Sequence, residues 1–409
     1  MPHVIVMVTS SYPRFPGDSV GTFMEPIAHS VAARGHEVHV VAPWHPLVRR
    51  SDREGAVRFH FYKYAPVRAL NVFGYAGAMR ADVSLRAAAF AAAPLALARG
   101  WLAARRVAVK HRASIMHGHW VVPGGVTAAL AAPRLPLVVS LHGSDIYVAE
   151  TLAPARRAAR LAFARAGAIT ACSDDLARRA VALGADARRT VVVPYGVDGA
   201  RFKPDPDRRR TVRADLGVAD GDFLVFAAGR LVRKKGFEYL VDALAPLTGF
   251  PCVLAIGGEG DLEEELRARA SAAGARVRFL GNLTQGEVAA HMAAADVIVV
   301  PSVRDESGNV DGLPNVVLEA LASGTPLVTT AAGGIGAVVA HRDTALVVPE
   351  RDPVAIREAV ADLAASPAER SRLGHAARAL VQTRYGWQET AARFEEAYDR
   401  ALALGTSGR

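Results

Sequence analysis

The sequence predicts an α/β protein built from two doubly wound parallel-sheet domains in series. Three observations carry that expectation. At 409 residues the chain is too long for one ordinary core. Short apolar runs alternate with helical stretches in the first half, and the same alternation restarts in the second. Between them, YGVDGARFKPDPDRRR mixes Gly, Pro and charge without periodicity, as a linker does. The boundaries implied are 1–198 and 199–386, with a final helix from about Trp387, within 387–409, packing back on the first domain.

HVIVMVTS is a continuous apolar run, hence a strand buried on both faces. It starts the chain in place of the basic-then-apolar layout of a signal peptide. A loop rich in Gly and Pro leads to the helix TFMEPIAHSVAARG, closed by Gly35. EVHVVAP, SIMHGHW, PLVVSLHG, AITACS and TVVVPYGV are the next strands, with Ala/Arg-rich helices between. In the second half FLVFAAGR, CVLAIGGEG, VRFLGN, DVIVVPS and PLVTT are strands, and GFEYLVDALAPL is a helix. Two Rossmann-like domains of this kind face each other across a cleft at the carboxyl ends of their strands. Ligands of open parallel sheets bind there, at helix N-termini.

Composition excludes several classes. Half of the residues are apolar and 22% charged, as in a soluble globular protein. The most apolar stretch, residues 87–104, contains Pro94, Arg99 and Gly100 and is mostly Ala, too weak for the roughly 20-residue crossing of a bilayer. Cys172 and Cys252 lie far apart, which argues against a disulfide framework or a Cys-based zinc site and suits the cytosol. Residues 1–200 hold 24 Lys+Arg against 12 Asp+Glu, a net of +12; residues 201–409 hold 25 against 28, a net of −3. The basic half points to an anionic partner or to an Arg-rich genome. Basic residues are not interleaved with aromatics, so a nucleic acid is not expected.

The chemistry-bearing residues sit at strand ends. GRLVRKKG places Arg230 and Lys235 before a helix, where cations gain nothing from the helix dipole unless an anion is shared between them. A diphosphate fits, with Arg as fork and Lys as point charge; an exposed basic turn is the plainer alternative. Gly257, Gly258 and Gly260 lack the third glycine and acidic partner of a dinucleotide fingerprint and read as a tight turn. His142 ends a buried strand, and Gly143, Ser144 and Asp145 follow it in a loop suited to close approach. His117 and His119 either bind a ligand or line the cleft, and HGH has no third ligand at metal spacing. In DGLPNVVLEALASGTP, Glu319 lies one turn beyond Asn315 on an otherwise apolar helix. A carboxylate so placed accepts hydrogen bonds from a pair of neutral hydroxyls, such as those of a ribose. Asp311, eight residues earlier, is placed for the hydroxyls of a sugar.

Together these pieces resemble the retaining nucleotide-sugar glycosyltransferases of the GT-B fold. The likeness covers nearly the whole chain and rests on the order and spacing of FPGDSVGTFM, HGHWVVPGG, LHGSD, VVVPYGVD, GRLVRKKG, IGGEG, LGNLTQGEV, VIVVPS, DGLPNVVLEALASGTPLV and YGWQETAARF. The resemblance implies an NDP-sugar donor, UDP- or GDP-linked, and a glycan, lipid-linked or small-molecule acceptor met by the first domain. It implies that Arg230 and Lys235 bind the donor diphosphate, that Glu319 holds the ribose, and that Gly312, Leu313, Pro314 and Asn315 face the sugar and phosphate. His142 would stand beside the sugar, Gly21 in the loop over the phosphates and acceptor, Gly258 in the donor site, and the base near Asn282 and Leu283; His117, His119 and Asp145 remain acceptor-side candidates. One departure stands out: the family pairs two Glu, whereas Asp311 is one methylene shorter.

The implied reaction is front-face transfer without a cofactor or an obligate metal, in the cytoplasm. Docking on the inner face of a membrane would use Arg156, Arg157, Arg160 and Arg165 beside Leu161 and Phe163. Alternatives on the same fold are a nucleotide-sugar epimerase and a sugar phosphorylase; an NAD-dependent oxidoreductase would need the missing fingerprint.

Overall fold

The computed structural model describes residues 2–18, 20–65, 71, 74–75, 79–80, 84–85, 87–244 and 251–406. The chain divides into two compact units, one formed by Met1–Tyr195 with Trp387–Arg409, the other by Gly196–Gly386. Residues 245–247, the end of the expected helix GFEYLVDALAPL, lie outside the described residues; its described part runs Phe237–Leu244.

The first unit holds strands β1 (Val4–Val8), β2 (Glu37–Pro43), β3 (Arg53–Glu54), β4 (Val57–Tyr62), β5 (Met79–Arg80), β6 (Ser84–Leu85), β7 (Ile115–His119), β8 (Leu137–Leu141), β9 (Ala168–Ala171) and β10 (Thr190–Val192). Its main sheet runs β10-β9-β8-β7-β1-β2-β4-β3, parallel except for the β3–β4 edge pair. β1, β7, β8 and β9 are buried almost throughout, as continuous apolar runs require when helices cover both faces. β4, VRFHFY, was not expected from the sequence; His and Arg interrupt its apolar positions.

The helix Trp387–Thr406 belongs to this unit. It buries Ala391, Phe394, Ala397, Tyr398 and Ala401. Its backbone passes so close to β9 that a Cβ on Gly167 would lie 2.7 Å from the Ala401 Cα. Its Glu395 meets His36 and Arg34.

The second unit contains β11 (Phe223–Ala228), β12 (Cys252–Gly257), β13 (Val277–Phe279), β14 (Val297–Val300), β15 (Leu327–Thr329) and β16 (Leu346–Val347). All pairs are parallel, in the order β13-β12-β11-β14-β15-β16. That is the doubly wound order in which ligands bind where the winding reverses, here between β11 and β14. The core under this sheet is formed by Val225, Leu240, Leu254, Ile256, Val299, Val328 and their neighbours.

The linker reading needs correction in its last five residues. Pro206–Asp215 is a helix, with Asp205 capping it through the Arg208 N–H and Pro206 in its first turn. The segment carries no apolar stripe because charge fastens it: Arg209 and Arg213 both reach Asp296, and Arg209 also bonds the carbonyls of Ala294 and Ala295. Asp296 in turn accepts the Leu224 N–H at the start of β11.

Candidate functional site

In the second unit the residues after β11 and after β14 come together at the reversal point. Lys234 and Lys235 lie in a short turn, Arg233–Lys235, that ends at the left-handed Gly236. Asp311 lies beyond β14. Its Oδ2 accepts from Lys235 Nζ at 2.6 Å, and its Oδ1 lies 3.0 Å from Lys234 Nζ. Lys234 is almost fully buried, and the Val303 N–H donates to its carbonyl. Two ammonium groups on one shielded carboxylate hold the Asp311 pKa well below the usual carboxylate range, against the opposing effect of burial. Asp311, expected to face sugar hydroxyls, pairs in this structure with both lysines. Sequence reasoning passed over Lys234. The signal was there in the doubled lysine of GRLVRKKG, but which of two adjacent lysines is buried depends on the turn.

Arg230 begins the same loop and is exposed. Leu231, one residue on, is tied by backbone bonds to Glu259 and Leu262, so the loops after β11 and β12 are sewn together. The tight-turn reading of the glycines fits this seam. Gly258 has φ +134°, and a Cβ there would lie 1.9 Å from the Gly229 carbonyl oxygen. Its N–H donates to the carbonyl of Gly281, which brings the neighbouring Asn282 and Leu283 beside the same strand ends. Asn282 is exposed and Leu283 half-buried.

Gly312, Leu313 and Pro314 are buried and lead into the helix Asn315–Ser323, with the Pro314 carbonyl accepting from Val317. Glu319 is half-buried on that helix. Its Oε1 accepts from Gln285 Nε2 at 3.1 Å, and Gln285 Oε1 accepts from Arg201 at 2.6 Å. Burial pushes the Glu319 carboxyl up to about 7, although Arg201, Lys235 and the Gln285 hydrogen bond favour its ionised form. Gln285 and Arg201 were not expected from the sequence. Gln285 follows the cap Thr284, whose reciprocal bonds with Glu287 fix the helix start.

The strand ends of the first unit have a different chemistry. His142 Nδ1 bonds the Tyr195 hydroxyl at 2.7 Å, and its Nε2 faces His119 Nδ1 at 3.1 Å. Phe23, Trp120 and Tyr195 pack around its ring. Burial holds both imidazoles neutral, His142 well below its ordinary value and His119 down to about 3. Nε2 of His119 meets no hydrogen-bond partner among the described residues. His117 lies deeper, bonded to Tyr398 Oη at 2.8 Å and to Ser140 Oγ at 2.6 Å, and Ser140 continues to Thr170. Asp145 accepts backbone N–H bonds from Val121, His142 and Gly143, which tie the loops after β7 and β8 together. Gly21 closes the loop after β1, its carbonyl accepting the Met24 N–H. Sequence reasoning missed Phe23, Trp120 and Tyr195, which are distant in sequence from the histidine they enclose.

On the basic helix Ala153–Arg165, Arg156, Arg157, Arg160, Leu161 and Arg165 are exposed. Phe163 is buried, while Arg156, Arg160 and Arg165 bond carbonyls of neighbouring segments. Among the described residues no helix is long and apolar enough to cross a membrane.

The comparisons with known proteins place the chain among glycosyltransferases of the GT-B type. Family models agree: "Glycosyl transferase 4-like domain" matches residues 19–196 and "Glycosyl transferases group 1" matches residues 208–380, and the chain belongs to this family. It is 34% identical over 311 residues to a D-inositol 3-phosphate glycosyltransferase of Pseudarthrobacter chlorophenolicus, covering 71% of each chain. It is 37% identical over 209 residues to a GDP-mannose-dependent alpha-(1-6)-phosphatidylinositol monomannoside mannosyltransferase of Mycolicibacterium smegmatis, covering 50% of this chain and 54% of that one. The fold is shared with Anabaena HepE solved in complex with UDP, at a TM-score of 0.73 and 20% identity over 97% of this chain and 99% of that one.

Proposed function

We propose that the protein moves a hexose from a UDP- or GDP-linked donor to a hydroxyl of a glycan, a lipid-linked or a small-molecule acceptor, with retention of anomeric configuration. The observation that carries this reading is the Lys234–Asp311–Lys235 cluster at the point where the second sheet reverses its winding. Two ammonium groups held by one carboxylate, with Arg230 on the same loop, form a preorganised receptor for a diphosphate. Glu319 supplies the carboxylate for ribose hydroxyls, and Asn282 and Leu283 lie on the loop suited to the base. The second unit is then the donor unit and the first the acceptor unit.

In the proposed reaction the bond between sugar C1 and the diphosphate oxygen breaks as the acceptor oxygen bonds C1 from the same face. The acceptor proton passes to the leaving diphosphate, whose growing charge is met by Lys235, Lys234 and Arg230. No covalent sugar–enzyme intermediate is needed. His142 is neutral and both its ring nitrogens are already bonded, to Tyr195 and to His119, so in this reading it packs beside the sugar and holds its neighbours in place; it does not serve as a base. The reading needs no metal for this chemistry, and a peripheral site at the inner membrane face suits a lipid-linked acceptor. Similarity to enzymes named for GDP-mannose, phosphatidylinositol mannoside and inositol phosphate supports an anionic polyol acceptor.

Proton NMR on mixtures of GDP-mannose or UDP-glucose with inositol phosphate or phosphatidylinositol acceptors tests the reading. Nucleoside diphosphate released only with acceptor, and an α-linked product from the α-donor, is expected. An inverted product overturns retention; a donor epimerised without acceptor, or sugar 1-phosphate release, overturns transfer.

A further inference from the structure

The first unit carries a histidine cluster that the proposed reaction does not use. His39 is the third residue of β2, and His60 lies on β4 opposite Val41, so the two share one face of the sheet. His111 follows the helix Ala87–Lys110 and packs against His39 at a tilt, with ring centroids 4.1 Å apart. One ring nitrogen from each of the three lies within 4.8 Å of the others. The residues come from 39, 60 and 111, a spacing that sequence reading does not associate with a metal.

The hydrogen bonds of the cluster fix its polarity. Glu37 Oε1 lies 3.1 Å from His39 Nε2, and a carboxylate there places the ring proton on Nε2. His39 Nδ1 then turns its lone pair toward His60 Nε2, 2.9 Å away. Two such lone pairs on a tetrahedral zinc stand about 3.4 Å apart, as bonds of 2.0–2.1 Å require. A small separation of the rings, with the shared proton of His60 moving from Nε2 to Nδ1, converts the contact into two metal bonds. The carboxylate behind His39 is the outer partner that metal-bound imidazoles characteristically have. Lys110 and Arg58 oppose a cation here, and Glu37 partly offsets them by pairing with Arg58. His111 is half-exposed, which leaves the fourth position open to water.

We propose that His39, His60 and His111 bind a zinc-type divalent cation that fastens the end of the helix Ala87–Lys110 to β2 and β4. The role is structural and separate from sugar transfer.

Chelator-treated full-length protein titrated calorimetrically with Zn²⁺ alone, alongside its His60→Ala, His111→Ala and His29→Ala variants, tests the site. One ion per chain is expected, with a rise in Tm. Affinity should fall at least about tenfold in each of the first two variants. His29→Ala reports on the other candidate group, Glu25–His29–Glu54, where Arg50 already pairs with both carboxylates; it should bind as wild type. His111→Ala, at a half-exposed helix end, keeps the test readable if His60→Ala does not fold. Absent binding, binding unchanged in His111→Ala, or binding lost only in His29→Ala overturns the proposal.

Discussion

The strand ends of the two units are built from the same fold and carry different electrostatics. In the first, the side chains against the His142 ring are neutral, an imidazole, the Tyr195 phenol and the rings of Phe23 and Trp120, and the Asp145 carboxyl turns to the backbone N–H groups of the loops. In the second, Lys234, Lys235, Asp311 and Glu319 bring formal charge into a shielded place. A parallel sheet fixes where ligand groups stand, and the loops decide what they say. A charged receptor suits a diphosphate that arrives and departs with its charge. A neutral one suits hydroxyls, which it can orient by hydrogen bonds without imposing a charge on the acceptor.

Mutations that break this contrast should differ in kind. Asp311→Ala leaves two shielded ammonium groups without their shared counter-ion, and urea unfolding should show a loss of about 3–5 kcal/mol. The Asp311 contribution is present above the ordinary carboxylate range and is lost as pH falls through its lowered folded value, so the deficit of the variant should shrink in acid. His117→Ala removes the partner of buried Tyr398 and Ser140 and should lower stability by about 2–4 kcal/mol. His142→Ala, half-exposed, should instead lower kcat with little change in Tm. A His142→Ala protein with full activity would contradict the positioning role.

Gly258→Ala forces a Cβ into the Gly229 carbonyl and should cost about 2 kcal/mol or more in thermal unfolding, with weaker donor binding. The smallest effect concerns Glu319. Its folded pKa of about 7 lies above the reference of 4.5, so the folded state holds the proton more tightly and stability declines as pH rises from 4.5 to 7. Glu319→Gln should therefore gain about 1–2 kcal/mol over wild type above pH 7, the exposed part of the side chain reducing the full effect. Equal pH profiles for the two proteins would contradict the raised value.

The order of strands and helices was readable because parallel strands buried on both faces give unbroken apolar runs, as in HVIVMVTS and DVIVVPS. Pro206–Asp215 was not, because its helix is held by Arg209 and Arg213 on Asp296, contacts that leave no periodicity. The oddity of a carboxylate at Glu319 was plain from its apolar neighbours, yet its partner Gln285 is brought by a separate helix. The pairing of Asp311 with both lysines bridges loops 76 residues apart and depends on strand order. The Glu37–His39–His60–His111 set was invisible for the same reason.

The central claim, that the charged strand ends of the second unit receive a nucleoside diphosphate, is tested most directly by thermal shift. Wild type and Glu319→Ala would be heated with UDP, GDP, ADP, TDP and NADH. At about a hundred times its dissociation constant a ligand adds about 2.7 kcal/mol, which at roughly 2–4 °C per kcal/mol for a unit of this size is about 5–11 °C. The account predicts that UDP or GDP raises the wild-type Tm by this amount and the variant's by distinctly less. Stabilisation by NADH alone, or an equal shift in both proteins, would contradict it.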